Sequence, residues 1–593
     1  MKKKTIISIS IILILFLLTF LILYKVFTKE EIETTESISD ETHVDKNTID
    51  WDTYLSYDTN DYENGITITE KGIYTLTGEI NGQVIINTSG NVKLILDNVT
   101  INSQNGPCIL VQEADNVEIY TNEGTTNTLL DSSNYTNYEE ETGTIFSHDD
   151  LILSGDGIIK ITSNYEDAIV SKDDLTITGG TYIIESKDDA IRGKDSVYIT
   201  GGIFNITSGG DGIKSTNDTE TDRGNVVIDD GKFDLTADLD GIQAENKIVI
   251  NNGTFKITTG NGSSNSQGTS TWGSWGQNKS ATDSTSAKGL KAGDNIVIKN
   301  GTFELNTSDD AIHSNNYVGI TSGIIKISSG DDGIHADSTL IIDDGEINIE
   351  KSYEGLEASS ITINGGKINV TASDDGLNAA GGNDSSSINR QGENNFNSNS
   401  NNKITINDGI LYVNSNGDGL DANGSIYING GTTTVDGPTN NGNGALDYDK
   451  EFVITSGEFI AVGSSGMAQG ISNTSTQYGV LINLSTTYNS NTVIEVLDSA
   501  SNVVTSYTST KSFSSIAISN NKLKNNETYT LKLNGETYTT FTISSINTIV
   551  GNSGMGMGGM KEQRQNSQTM PNDERSGQPN MNGNRETRRE GRR

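Results

Sequence analysis

From Asp167 to Gly457 the chain repeats itself about every 22 residues, and no other feature so narrows the folds open to it. The segments YEDAIVSKDDLTITGG, KDDAIRGKDSVYITGG, SDDAIHSNNYVGITSG and YEGLEASSITINGG each set an acid before Ala or Gly, continue with Ile or Leu, and close on a glycine turn. The acids are Asp167, Asp189, Asp211, Asp240, Asp310, Asp332, Glu354, Asp375 and Asp418. The glycines run Gly180, Gly202, Gly231, Gly253, Gly301, Gly323, Gly345, Gly366, Gly409, Gly431 and Gly457. Gly180 to Asp189 is the same interval as Gly323 to Asp332, so the phase holds along the array. The Ile-x-Ile alternation between turns reads as short strands. A period of this length fits one coil of a β-helix whose strands bond to the next coil. The expectation is an all-β, right-handed parallel β-helix of about 22 residues per coil; helical solenoids are excluded by the alternation and the period. The glycines are expected at turns that need positive φ.

Composition supports thin stacked coils. With 65 glycines and 32% apolar residues among 593, the chain is poor material for a conventional thick core. Its formal net charge of −39 excludes electrostatic binding to nucleic acid or anionic lipid headgroups and makes divalent cations the natural partner. Cys108 stands alone, so the chain has no intramolecular disulfide and no Cys-His cluster for zinc.

Met1-Lys-Lys-Lys4 precedes an apolar stretch from Thr5 to Tyr24, long enough to span a bilayer as a helix, with its basic flank inside. Residues 1–29 therefore read as a cytoplasmic stub and uncleaved signal anchor of a single-pass membrane protein, against a signal peptide with an unrecognised cleavage site, with residues 30–60 as an extracellular linker. The β-helix is assigned to 61–474, a short antiparallel β cap to 475–550, and a disordered Gly/Met/Arg-rich tail to 551–593. Interruptions at about 215–223, 259–287 and 380–402 are Gly/Ser/Asn-rich and leave the repeat in phase, as loops inserted at turns do.

The acid turns, the coil SAKGLKAGDNIVIKNG, the loop WGSW, the segment FSSIAISNNKLKNNETYTLKLNG and the glycine-methionine tail together resemble a clostridial-type carbohydrate-binding family. That family is described as a cellulose- and polygalacturonate-binding parallel β-helix, similar in fold to pectate lyases and carrying calcium. The resemblance covers roughly residues 50–560. It implies non-catalytic polysaccharide binding.

Coils stacked about 4.8 Å apart place each acid beside another of the same sign, repelling by roughly 3.5 kcal/mol per pair at an effective dielectric of about 20. Calcium, which takes carboxylates, carbonyls and water, is the ion suited to relieve this, with the nine acids as candidate ligands. The bland alternative has each acid accepting from its own turn amides while solvent screens the charge. Lys288 occupies the column where an acid is missing. It reads as a neutraliser; the sharper alternative is the general base of a lyase, which neighbouring carboxylates oppose by keeping the lysine protonated.

Three residues beyond the acids runs a second column: Arg192, Lys214, Gln243, Lys291, His313 and His335, then Glu357, Asn378 and Asp421. It is a candidate groove for an anionic glycan, or a row of side chains paired with the nearby acids. Trp272 and Trp275, in the longest loop, are candidate stacking platforms for sugars or rings packed on the solenoid; Tyr165 and Tyr353 are weaker candidates of the same kind. The reading is calcium-assisted, cell-surface polysaccharide binding without catalysis, against a calcium-dependent pectate-type lyase and a structural or adhesive stalk.

Overall fold

The computed structural model describes residues 49–58, 64–265, 286–380 and 401–552. The expected anchor at Thr5 to Tyr24, Trp272, Trp275 and the Arg-rich tail lie outside the described residues. Among the described residues the structure is all-β with two 3-10 turns, and no helix is long and apolar enough to cross a membrane.

The chain divides into two compact units, Met1–Glu185 with Arg192–Ile203, and Ser186–Ile191 with Phe204–Arg593. In the first, three strands make a coil, and each pairs in parallel with its counterpart one coil on. Val117–Thr121 pairs with Leu151–Gly155, Thr126–Leu130 with Ile158–Thr162, and Ile109–Glu113 with Gly143–Ser147. The second unit repeats the plan. There Leu290–Ala292, Asn295–Ile298 and Thr302–Thr307 pair in parallel with Ile312–Ser314, Tyr317–Ile320 and Ile324–Ser328. These are β-helix-like coils.

Two of the inserted loops enter between strands and leave the ladder in register. Thr254 pairs with Thr302 and Ser360 with Lys403, as if the intervening residues were absent. The alternation of each strand turns one side chain inward at every second position. Ile248, Ile296, Val318 and Leu340 stack in one fully buried row. Phe204, Phe233, Phe255 and Phe303 form another, with parallel rings at centroid spacings of 4.7, 4.7 and 4.6 Å. Each such buried side chain contributes about 1.5–3 kcal/mol, so a core one side chain wide is sufficient when repeated coil by coil.

Every glycine of the expected column has positive φ, from 69° at Gly431 to 146° at Gly231. The turns also stack tightly. A Cβ on Gly323 would stand 3.0 Å from the Gly301 carbonyl oxygen, and one on Gly345 would stand 2.8 Å from that of Gly323.

Beyond Glu458–Gly463 the pairing becomes mostly antiparallel, although Gly479–Tyr488 also pairs in parallel with Asn547–Val550. Phe513–Ser519 lies between Glu458–Gly463 and Gly479–Tyr488, and a separate antiparallel sheet contains Val493–Leu497, Val503–Thr508, Thr528–Leu533 and Glu536–Thr542. Buried Asp436 holds this region to the coils, accepting from the hydroxyls of Tyr507 at 2.7 Å and Tyr412 at 2.9 Å and from the Thr510 amide at 3.0 Å.

Candidate metal centre and charge columns

Of the nine acids, Asp189, Asp211, Asp240, Asp310, Asp332 and Asp375 share one backbone arrangement. One carboxylate oxygen turns along the stack and accepts from the backbone amide of the equivalent residue on the next coil. Asp189 accepts from Asp211 N at 2.9 Å, Asp211 from Asp240 N at 2.8 Å, Asp240 from Lys288 N at 2.7 Å, Asp310 from Asp332 N at 2.9 Å, and Asp375 from Asp418 N at 2.5 Å. The amide that relieves each acid thus belongs to the neighbouring coil, not to the acid's own turn. Lys288 brings no carboxylate, and the Asp310 amide bonds instead to Asp309 Oδ1 at 2.9 Å.

The second carboxylate oxygen faces the column three residues on. In the first unit, Arg192 meets Asp167 Oδ2 at 2.5 Å and Thr142 Oγ1 at 2.7 Å. In the second, Lys214 Nζ lies 2.6 Å from Asp211 and 3.5 Å from Asp189, and Lys291 Nζ lies 3.0 Å from Asp240. His313 Nδ1 meets Asp310 Oδ2 at 2.8 Å. Lys288 Nζ, only 3% exposed at its side chain, is clamped by Asp310 at 2.6 Å and Asp309 at 3.0 Å. Burial works against the charge on Lys214, but Asp211 and Asp189 hold its pKa above the ordinary lysine value. Burial also works against ionisation of Asp310, and Lys288, His313 and His335 overcome it, holding the carboxyl well below its usual range. Asp211 is pushed up to about 6 by burial and Asp240, which together outweigh Lys214.

His335 marks the change of sign. It is fully buried, stacks on His313 at 4.6 Å and lies within hydrogen-bond reach of Glu357 at 2.7 Å, Asp337 at 3.1 Å and Asp332 at 3.4 Å. Burial disfavours its charge, yet these carboxylates raise its pKa well above the ordinary value. Beyond it the cations stop. Asp375, Asp418 and Asp421 place carboxylate oxygens within 4.8 Å of one another. Burial and then Asp418 and Asp374 push Asp375 up to about 8, and burial with Asp447 and Asp374 pushes Asp418 up to about 6. Asp421 is raised well above its usual range by burial and by Asp375, Asp418, Asp447 and Asp449.

Asn378 sits against this cluster, in register with Asp421. Its Nδ2 donates to Glu354 Oε2 on the preceding coil at 2.7 Å. Its Oδ1 is buried without a hydrogen-bond partner. An unsatisfied amide oxygen beside three carboxylates is an all-oxygen donor set, the kind that hard divalent cations take. Asp421 was visible in the sequence only as the end of the cationic column, whose change from cation to acid begins at Glu357.

The expected cationic groove is thus a row of ion pairs, with His313 and His335 buried. Tyr165 stacks on buried Tyr135 at a centroid distance of 4.1 Å. Tyr353 is half-buried, its amide donating to the Asp331 carbonyl at 2.7 Å.

A family model described as carbohydrate-binding domain-containing protein matches residues 62–333 and 332–376, just over half of the chain. A carbohydrate-binding domain-containing protein of Acetivibrio thermocellus is 29% identical over 131 residues, 21% of this chain and 46% of the relative, so the chain spans about half of that protein's length. Among solved structures, a gadolinium derivative of the polysaccharide lyase-like protein from C. thermocellum is 29% identical, with 35% of this chain and 90% of the other covered, at a TM-score of 0.33.

Proposed function

The chain belongs to the carbohydrate-binding domain family, and from that premise we propose that it binds polysaccharide without cleaving it, with calcium held at the cation-poor end of the acid column. The family match carries the first part. The burial of Lys288 between Asp309 and Asp310 supports the absence of catalysis, because a lysine held protonated there is a poor proton acceptor and is shut away from a polymer. Asp375, Asp418 and Asp421 with Asn378 Oδ1 support calcium: the donors are all oxygen, and the carboxylates have no lysine or arginine in the adjoining column. Calcium there would relieve the repulsion that raises these carboxyls and would stiffen adjacent coils.

We read the coils as right-handed, the hand that nearly all parallel crossovers take. The Thr5 to Tyr24 stretch makes the protein a single-pass surface protein with its coils outside the cell. Cellulose and pectin-like glycans are the ligand classes.

The test is retention on insoluble cellulose and on calcium-pectate gel, together with an absorbance assay for unsaturated uronates. Retention on at least one of the two supports, with no absorbance gain, is the expected result. Release of unsaturated product by the wild type, lost in Lys288→Ala at equal folding, would replace binder with lyase.

A further inference from the structure

The outward side of the middle strands in the second unit differs from the charge columns. Its central row runs in strict register through Val227, Val249, Val297, Gly319 and Ile341, and the side chains in it are half-exposed. It continues through Thr362, Thr405 and Tyr427. In a chain of formal net charge −39, no residue of this row is charged.

Gly319 interrupts the aliphatic row inside a strand, where glycine weakens pairing and marks a place where something else lies close. That something is Tyr317, two residues back on the same face. A Cβ on Gly319 would stand 2.7 Å from Tyr317 Cε1 and 2.8 Å from Cζ. The ring therefore lies down over the glycine, flush with the flanking valine and isoleucine. Tyr427 supplies a second half-exposed ring in the row, its hydroxyl donating to Glu451 at 3.2 Å. Four coils, about 19 Å, separate the two positions. Beside the row, two residues on, exposed Asn364, Asn407 and Asn429 form an amide ladder with links of 2.7 and 2.9 Å.

We propose that this face is the polysaccharide-binding surface and that its ligand is an uncharged, extended β-linked glycan lying along the stack; this rests on the binding function proposed above. Such a chain has apolar C–H faces for the tyrosine rings and aliphatic row, and hydroxyl edges for the asparagine amides. Its sugars advance by nearly the coil spacing of about 4.8 Å, so equivalent groups recur in step. The charge match is equally specific. A neutral polymer meets no repulsion on an uncharged row, while a polyuronate must approach a strongly acidic molecule whose flanking Lys247, Lys299 and Lys403 share the face with Asp343 and Glu451.

Affinity electrophoresis of the full chain through hydroxyethylcellulose, with polygalacturonate in parallel, tests the surface. Tyr317→Ala combined with Tyr427→Ala should weaken retardation by the cellulose ether about tenfold, with the melting temperature unchanged, and Tyr317→Phe should retain binding. Gly319→Val, which lifts the ring out of the row, should weaken binding while leaving the aromatic in place. Wild-type affinity in the folded double variant overturns the surface and leaves the binding function standing. Failure of the wild type to bind any glycan overturns both. Loss of self-association in the double variant without loss of glycan affinity identifies a contact between copies instead, and overturns the proposal.

Discussion

Within the second unit the same acid column is solved in two ways. From Asp211 to Asp310 a lysine or histidine touches each buried carboxylate, so the stack carries its own counter-charge. From Asp375 to Asp421 the coils have the same backbone geometry but no such cation, and the carboxyls of Asp375 and Asp418 are pushed up to about 8 and about 6. The fold therefore does not dictate how the repulsion between coils is relieved; the residue three places beyond the acid does. One stretch carries its own counter-charge and the other leaves its carboxylates facing one another.

The largest effect that would break this contrast is expected at Lys288. Replacing it with Ala leaves Asp309 and buried Asp310 without their lysine, and breaking a buried pair in this manner costs about 3–5 kcal/mol. A clear fall in the chemical denaturation midpoint should follow. A midpoint within error of the wild type would mean that His313 alone suffices.

Calcium provides the next contrast. Saturation at one hundred times the dissociation constant should stabilise the wild type by about 2.7 kcal/mol. Asp375→Asn with Asp421→Asn should remove that response, whereas Asp240→Asn should keep it. Isothermal titration alongside thermal melts measures both, and an undiminished response in the double variant would place the ion elsewhere.

The two stretches should also differ in pH dependence, measured in chelator. Asp310 is held below its unfolded value, so its contribution is present above the ordinary carboxyl range and is lost as pH falls through the folded value. Asp375, raised to about 8, and Asp418, raised to about 6, behave oppositely: their protonated forms suit the fold, and stability declines as pH climbs from about 4 to those values. Asp375→Asn should flatten the neutral limb of the stability curve and leave the acid limb in place.

The smallest effect concerns single charges in chelator at pH 8. Asp421→Asn should raise stability slightly by removing repulsion, while Asp240→Asn should lower it by stranding Lys291. Equal signs would erase the distinction.

Much of this was legible in the chain. The glycine column announced its own backbone, because positive φ is a demand on residue type that repeats in sequence as it does in space. The acids were legible for the same reason. Their partners were not, since contact across coils joins residues far apart in the chain: Lys291 and Asp240 are 51 residues apart, separated by a loop that the ladder ignores. Nor did periodicity reveal that Asn378 leaves an oxygen unsatisfied, or that Tyr317 lies down over Gly319, because both depend on side-chain direction and not on spacing.

The amide that each acid receives comes from the following coil, and each turn glycine backs onto the preceding one. Almost every favourable term is therefore an agreement between adjacent rungs. In the currency of inheritance, the natural unit of change is the rung and not the residue. A duplication or excision of one whole period restores every agreement on either side of the scar. Loss of a single residue within a strand breaks them all at that level. Such a molecule can grow or shorten over generations by recombination alone, and its length records history as much as mechanics.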